Sequence, residues 1–344
     1  MEMEFREGFT IYKKGIGPVF ACVHTGPSFE TPTSRDDNSD TVASLCWLKM
    51  NGSLVFSNIT RKRLFGIDFN RSMPPKKQAL DFYRLFENDI EKKGLKKYRE
   101  RYGWVASNEQ DYSKRLSIYS NFWSTIRLLG NFIIFIHRSF TRMKNYPNVM
   151  DVITFQGQGV DKKIVEEIVK KLNKKYQPFF SDIESAYKGS VIREQKNILD
   201  RVEEKFQSIE LSKIEVGYRE NMRNDLNVIK KYASKRLFAR LERNFTKTNF
   251  ILTSKNAMKN MPTPHITVES IYSGRLCLGP KRHLLGMNKV VLVIECNKFI
   301  NYWHPDIAAQ IIVDMVRKIK SVKKYRNMGF GQTQILKFLK KEAI

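Results

Sequence analysis

Three segments of the chain end an apolar run with an ionisable side chain, and these side chains are of the types that a hydrolytic metal site requires. His24 follows one apolar run, the segment FIIFIHR carries His137, and the segment VVLVIECNK carries Glu295. Two imidazoles and one carboxylate are a common ligand set for catalytic zinc, which keeps a further position open for water. We therefore predict that His24 and His137 bind a divalent metal ion.

The third ligand is expected from the acidic loop that follows His24. Asp37 and Asp40 are the best candidates, and the sequence does not choose between them. Zinc suits this donor set well, and another divalent ion fits the same atoms. The competing interpretation is structural, because an isolated histidine beside an apolar strand more often belongs to the packed core.

Glu295 is the candidate general base. A carboxylate at the end of the run VVLVI is costly unless it has a partner or a raised pKa. Such an environment suits a group that takes a proton from attacking water and returns it to a leaving amine. The alternative is that Glu295 forms a structural ion pair with a buried Lys or Arg.

Four polar residues in the segment RKRLFGIDFNR are candidates for substrate binding. Asn70 and Arg71 are predicted to hold a substrate carboxylate, since a guanidinium matches a carboxylate through two parallel hydrogen bonds. Arg61 and Arg63 come earlier in the same segment and are candidates for polarising the scissile carbonyl. Each of them is alternatively a solvated surface charge.

Apolar strand patterns alternate with helical patterns along most of the chain, which predicts an α/β fold. The strand patterns cover residues 18–23, 53–59, 65–69, 132–136, 152–155 and 290–294, and the helical patterns cover 79–91, 112–129, 162–175 and 306–322. The most apolar strands indicate burial on both faces. We expect a three-layer sandwich with a central mixed, mostly parallel sheet and helices on its faces.

The segment 190–250 has no strand pattern and is predicted to be a helical hairpin whose two helices join near Val216 and Gly217. It is expected to interrupt one catalytic domain, with residues 1–189 as its first part and 251–344 as its second. The second part ends in a basic tail that includes Lys337, Lys340 and Lys341.

The charge balance favours a polyanionic partner. Lys and Arg total 61 against 35 Asp and Glu, a formal net charge of +26. The alternative to an enzyme with a small carboxylate-bearing substrate is therefore a nucleic-acid-binding protein on a hydrolase-like fold, which binds RNA through the basic tail and the insertion. A hydrolase that acts on an acyl group carried by RNA would combine the two. The N-terminus has no signal-peptide pattern and no apolar run is long enough to span a bilayer, so we expect a soluble, cytoplasmic protein with no membrane partner. The motifs of P-loop proteins, serine hydrolases and zincins are absent from the sequence.

Several motifs together resemble the N-formylglutamate amidohydrolase family, which is related to the zinc carboxypeptidases. They are HTG at His24, a D-x-x-D pattern at Asp37 and Asp40, RLFGIDFNR ending at Arg71, a strand that ends at His137, YPNVMDVITFQGQG at 146–159, and VIECNKFIN at 293–301. The resemblance covers residues 18–180 and 262–320, in the same order along the chain, and leaves the 190–250 segment uncovered.

This resemblance implies a phosphorylase/hydrolase-like fold and a zinc ion held by His24, an acidic loop residue and His137. It also implies that Glu295 is the base and that Asn70 and Arg71 hold the substrate. The substrate class that it suggests is an N-acyl amino acid or a short peptide-like molecule. The chain departs from the family pattern at Phe135, where an acidic partner of the second histidine is usual, and at Lys298, where Arg is usual.

Overall fold

A single eight-stranded sheet crosses the protein in the computed structural model, which describes residues 1–27, 35–88, 92–206 and 216–330. The strands are β1 (Glu2–Arg6), β2 (Phe9–Lys13), β3 (Val19–Cys22), β4 (Ser53–Ser57), β5 (Phe132–Ser139), β6 (Asn148–Ile153), β7 (His265–Val268) and β8 (Val290–Asn297). Their order is β1-β2-β4-β3-β5-β8-β6-β7. The neighbours β4, β3, β5 and β8 are mutually parallel, and β6 runs antiparallel to β8.

Helices cover both faces of this sheet. They are α1 (Ser39–Met50), α2 (Lys76–Asn88), α3 (Lys92–Arg101), α4 (Glu109–Leu129), α5 (Lys162–Phe206), α6 (Val216–Tyr232), α7 (Lys235–Arg243), α8 (Lys247–Lys259), α9 (Leu278–Leu284), α10 (Lys298–Trp303), α11 (Pro305–Ser321) and α12 (Lys323–Arg326). In the described part of the chain, no helix has the length and apolar character needed to cross a membrane.

The alternation of side chains along β5 explains the layered architecture. All eight residues of β5 are buried. Phe132 and Ile134 point into a core shared with α1, α5 and α11, whereas Ile133 and Phe135 point into a second core shared with α4. A strand that is apolar on both faces must be covered on both sides. The predicted α/β fold, with a mixed and mostly parallel sheet between helical layers, is confirmed.

The predicted strand at 65–69 is wrong. Ile67 and Phe69 are buried as a strand pattern requires, but the backbone there turns, because the amides of Phe65 and Gly66 both donate to the carbonyl of Lys62. These local hydrogen bonds replace the ladder that a strand would form.

The predicted insertion contains more helices than a hairpin. Helix α5 continues through residue 190 to Phe206, and α6, α7 and the start of α8 follow, so the segment does not begin as a separate element. Its apolar residues Leu199, Met222 and Leu241 are buried in the same core as the sheet. Arg142 and Asp225 form a buried ion pair of 2.8 Å that joins α6 to the segment after β5. The basic tail residues Lys337, Lys340 and Lys341 lie outside the described residues.

A partly buried histidine on α9 lies between the sheet and α4. The ring of His283 stacks on Trp123 with centroids 5.0 Å apart, and its Nε2 lies 3.2 Å from the hydroxyl of Tyr119. Burial, reinforced by Arg127 and Arg282, lowers the pKa of His283 to about 4. The folded protein therefore holds this ring in its neutral form.

We predict that His283 makes the fold sensitive to mild acid. The unfolded chain takes up the proton near pH 6.5 and the folded chain only near pH 4, so stability is lost as the pH falls between these values. Between pH 7 and pH 5 the wild type should lose about 1 kcal/mol more than His283→Phe, a value reduced for partial exposure of the ring. Urea unfolding of both proteins at the two pH values measures this difference. Equal losses would contradict the prediction.

Candidate metal centre

The two histidines and Glu295 meet because their strands are neighbours. Strands β3, β5 and β8 are adjacent and parallel, so their carboxyl ends lie at one edge of the sheet. His137 on β5 is in register with Glu295 on β8, and His24 follows the end of β3 by two residues. Ligand sites form at this edge in open α/β sheets. The structure therefore brings these three sequence-predicted residues to one cavity.

A buried carboxylate joins the two imidazoles. Asp36 Oδ2 lies 3.1 Å from His24 Nδ1 and 2.9 Å from His137 Nδ1. One ligand atom from each of these three residues lies within 4.8 Å of the other two, and all three residues are buried. This group could hold a metal ion.

Local backbone structure brings Asp36 to the histidines. The amide of Asp36 donates to the carbonyl of His24, which pairs the two ends of the loop. The amide and the hydroxyl of Ser39 then donate to the carbonyl of Asp36 as α1 begins. At the other end, the chain after His24 packs directly on the segment that follows β4, because a Cβ atom at Gly26 would lie 1.9 Å from the carbonyl oxygen of Ile59. Both sides of the loop are therefore fixed.

Asp68 orients His24. Its Oδ1 lies 2.9 Å from His24 Nε2, and its Oδ2 accepts from Arg63 at 3.0 Å. Burial on its own raises the pKa of Asp68, but His24 and Arg71 together hold it well below its usual range. When Asp68 accepts the Nε2–H of a neutral ring, Nδ1 keeps its lone pair. A carboxylate behind a ligand histidine is the usual arrangement at metal sites.

The atoms around His24 Nδ1 fit a cation. Arg61 places a donor 3.0 Å from Nδ1, and Asp36 places an ionised oxygen 3.1 Å from the same atom. If Nδ1 carries a lone pair, it can accept from Arg61 but repels the Asp36 oxygen. If Nδ1 carries a proton, it can donate to Asp36 but clashes with the Arg61 donor. A metal ion bound by both Nδ1 and the Asp36 oxygen would satisfy these two atoms in place of the Arg61 donor. His137 Nε2 is also buried, and it has no hydrogen-bond partner among the described residues.

The predicted ligands Asp37 and Asp40 do not join the histidines. Asp37 lies 3.0 Å from Arg138, and Asp40 lies 2.8 Å from Arg35. Both carboxylates are about a third exposed, whereas Asp36 is nearly inaccessible. The acid that meets the histidines precedes the first candidate by one residue, because the turn into α1 directs the side chains of Asp37 and Asp40 to arginines instead.

Arg63 has a supporting position rather than the predicted contact with the substrate. Besides Asp68, it donates to the carbonyls of Tyr102 and Arg99, both at 2.6 Å. Burial lowers the pKa of Arg63 to about 10. These contacts hold Arg63 behind Asp68. Arg61, its predicted companion, lines the cleft beside His24.

A cavity of about 440 Å³ opens in front of the two histidines. Glu295 lines it, and burial, with further contributions from Asp36 and Asp151 and against the opposing effect of His137, raises the pKa of Glu295 to about 7. The carboxyl group is therefore close to the protonation midpoint that a general base requires near neutral pH. The predicted partly desolvated carboxylate beside the metal ligands is present.

Asn70 and Arg71 line the same cavity, as predicted. The side-chain oxygen of Asn70 is buried and has no partner among the described residues. Arg71 donates to the carbonyl of Leu276 at 2.6 Å and to that of Arg99 at 3.2 Å, which fixes its guanidinium. A Cβ atom at Gly279 would lie 2.1 Å from the carbonyl oxygen of Phe69, so α9 packs tightly against this segment.

Asp151 holds the opposite wall of the cavity. Its carboxylate accepts from the amides of Ser270, Ile271 and Tyr272 at 2.9–3.1 Å and from the hydroxyl of Thr267 at 2.6 Å. Residues 271–277 contribute that wall. One buried carboxylate therefore shapes the segment that faces Glu295.

Sequence reasoning missed Asp36, Asp68 and Asp151. Asp68 and Asp151 each stand inside an apolar run, in GIDFN and VMDVI, and the argument applied to Glu295 would have marked both as carboxylates with a specific task. Asp36 has no such signal, because it is one of three acids within five residues.

Comparisons with known proteins name neither a family nor a function for the chain. No protein-family model and no curated protein matches the chain. The structure is similar to the crystal structure of a gene product from Agrobacterium tumefaciens, with a TM-score of 0.42 and 10% identity over 91% of this chain and 95% of that chain. The resemblance to N-formylglutamate amidohydrolases stays a prediction.

We predict that Asp36 rather than Asp37 is the metal ligand. Asp36→Asn should weaken Zn²⁺ binding at least about 100-fold, because the variant loses the negatively charged ligand oxygen that lies beside both histidines. Asp37→Asn is the matched control on the neighbouring residue and should bind like the wild type. Competition with a chromophoric chelator measures both affinities, with circular dichroism to verify folding. Unchanged affinity in Asp36→Asn would reject the assignment.

Proposed function

We propose that the protein is a metal-dependent hydrolase that cleaves an amide, or less readily an ester, next to a carboxylate. The observation that carries this proposal is the buried group of His24, Asp36 and His137 beside Glu295 in one cavity. The resemblance of the surrounding motifs to N-formylglutamate amidohydrolases supports the same reaction. An N-acyl amino acid or a short peptide-like molecule is the substrate class that we infer.

Zinc is the ion that we infer for the site. Two imidazoles and one carboxylate match the donor set of catalytic zinc, and the adjoining cavity gives room for a further ligand. When bound, such an ion supplies a Lewis acid and makes water nucleophilic at neutral pH. The protein contributes three ligands and the carboxylate of Asp68, which fixes the ring of His24.

Glu295 is the proposed proton carrier. Its carboxylate lines the cavity and its strand position places it level with His137. In the hydrolysis of an amide, a base takes a proton from water as the carbonyl carbon is attacked, and the same group then gives that proton to the leaving nitrogen. A carboxyl group with a pKa of about 7 does both steps without a large energetic penalty.

Arginines give the cavity its preference for an anion. Arg61, Arg71, Arg138 and Arg275 all line it. Arg71 is held by two backbone carbonyls, so its direction is set before a substrate arrives. We infer that Arg71, with Asn70, holds the substrate carboxylate, and that Arg61 polarises the scissile carbonyl beside His24.

We predict that Glu295→Gln removes turnover and keeps the metal. General acid–base catalysis contributes about 10²–10⁴ to the rate, so kcat should fall by that factor while KM and zinc content stay unchanged. Glu166→Gln, an exposed change on α5, is the control. Release of free amine from a panel of N-formyl and N-acetyl amino acids measures the activity. If wild type and Glu295→Gln hydrolyse the panel equally, the assigned base is wrong.

A second prediction concerns the substrate carboxylate. A charge-assisted hydrogen bond contributes about 1.5–3 kcal/mol, so an N-acyl amino acid amide should have kcat/KM roughly 10–100-fold below the free acid. Arg71→Met should remove most of this discrimination, since both substrates then lack the cation. A wild-type enzyme that hydrolyses both forms at the same rate would contradict a carboxylate site at Arg71.

A further inference from the structure

The helices α6, α7 and α8 carry a concentration of positive charge that the cleft does not explain. Between Leu226 and Val268 the sequence has nine Lys and Arg residues and one acidic residue, Glu242. The segment 190–250 as a whole is only mildly basic, because all of its other acidic residues precede Leu226. The charge is therefore segregated within the segment.

Most of these cations are exposed and unpaired with acids. Six of them lie at the end of α6 and along α7, and all are exposed: Lys230, Lys231, Lys235, Arg236, Arg240 and Arg243. Lys255 and Lys259 on α8 are exposed as well. Within the described ranges, no carboxylate lies within 4.0 Å of any of the eight. The ninth cation, Lys247, differs because it pairs with Asp200 and Glu203 of α5.

Hydrogen bonds join these helices into one surface. The amide of Ser234, between α6 and α7, donates to the side chain of Asn256 on α8 at 2.8 Å. The side chain of Asn260 donates to the carbonyl at the end of α6, also at 2.8 Å. These contacts fix the turn between α6 and α7 beside the two exposed lysines of α8. We call the surface formed by the eight exposed cations the basic face.

A groove of about 760 Å³ continues the basic face between α5 and α8. Lys255 and Lys259 line it together with the ion pair of Lys188 and Glu184, and Ile192 and Met258 give it an apolar component. Gly189 also lines the groove, and a Cβ atom there would have no neighbour within 4 Å. The groove therefore has room for a ligand chain and for a larger side chain at Gly189.

The basic face is suited to phosphates rather than to a membrane or a folded protein. Eight like charges repel one another, so their concentration has a cost for the fold and indicates a partner. Interfacial membrane helices expose apolar side chains, but Leu241 of α7 is buried and Phe238 packs against the core. Protein interfaces have an apolar centre. Here Lys230 covers the ring of Phe238 and Lys231 covers the ring of Tyr232, so these rings do not form such a centre.

We propose that the basic face binds nucleic acid through its phosphate backbone, with the strand passing along α7 and through the groove between α5 and α8. The binding uses residues far along the chain from the metal ligands and does not depend on the proposed hydrolase activity. Rows of exposed Lys and Arg hold the phosphate backbone of a nucleic acid without sequence preference.

Charge reversal on α7 tests the proposal. A labelled single-stranded RNA of about 20 nucleotides is titrated with wild type and with Arg236→Glu/Arg240→Glu, and fluorescence anisotropy gives Kd from about 0.05 to 0.3 M salt. The variant should bind at least about tenfold more weakly at 0.1 M salt, and its salt slope should be smaller by about 1.5, as two phosphate contacts are lost. Lys170→Glu/Lys171→Glu, with the same charge change at exposed positions of α5 outside the basic face, should bind like the wild type.

The groove is tested by two changes of equal size. Gly189→Glu and Gly189→Gln both extend into open space, so neither should disturb the fold. Gly189→Glu should weaken RNA binding at least about threefold more than Gly189→Gln, because only the first places a negative charge beside the strand. Equal effects of the two would exclude the groove from the binding path.

Three outcomes would overturn the proposal. They are the absence of RNA binding at 0.05 M salt, equal losses in the α7 variant and its α5 control, and binding to phosphatidylserine vesicles without binding to RNA. Asp36→Asn separates this proposal from the hydrolase, since it should lose Zn²⁺ and still bind RNA with wild-type affinity.

Discussion

The cleft depends on the balance of charge among His24, Asp36 and Asp68. Both carboxylates are ionised although burial opposes that state, because His24 and nearby arginines compensate their charges. Arg61 faces Asp36 and Arg63 faces Asp68, so the turn that carries both arginines has to lie against the strand ends. Removing one member would leave a buried charge without compensation, which costs about 3–5 kcal/mol. The same balance that prepares a metal site thus also determines where the surrounding segments lie.

The protein places its two candidate functions on different elements. The two histidines of the candidate metal centre come from the carboxyl ends of central parallel strands, and Asp36 comes from the loop before α1. The exposed cations come from helices that only partly join the core. Helix α5 connects the two regions, and its 45 residues correspond to about 68 Å of helix.

The features that the sequence predicted well are those that follow from strand order. His24, His137 and Glu295 each follow or end an apolar run, and neighbouring parallel strands bring such positions together. The acid that lies beside both histidines is Asp36, one residue before the predicted Asp37, because the direction of a side chain in a loop depends on dihedral angles such as the left-handed conformation of Asn38, with φ of 61°. Asp68 was overlooked because its surroundings resembled a strand. Periodicity describes which residues are buried, and it does not distinguish a strand from a turn that is packed equally well.

The anchoring of residues 270–272 by Asp151 has a consequence for how the cleft receives a ligand. Three consecutive amides bonded to one buried carboxylate form a cooperative unit, so this wall cannot open without leaving that carboxylate desolvated and unpaired. Among the described residues, the wall at 270–272 is therefore preorganised for a ligand. Little of the binding free energy then goes into ordering this side of the protein, which favours fast association and selectivity by shape.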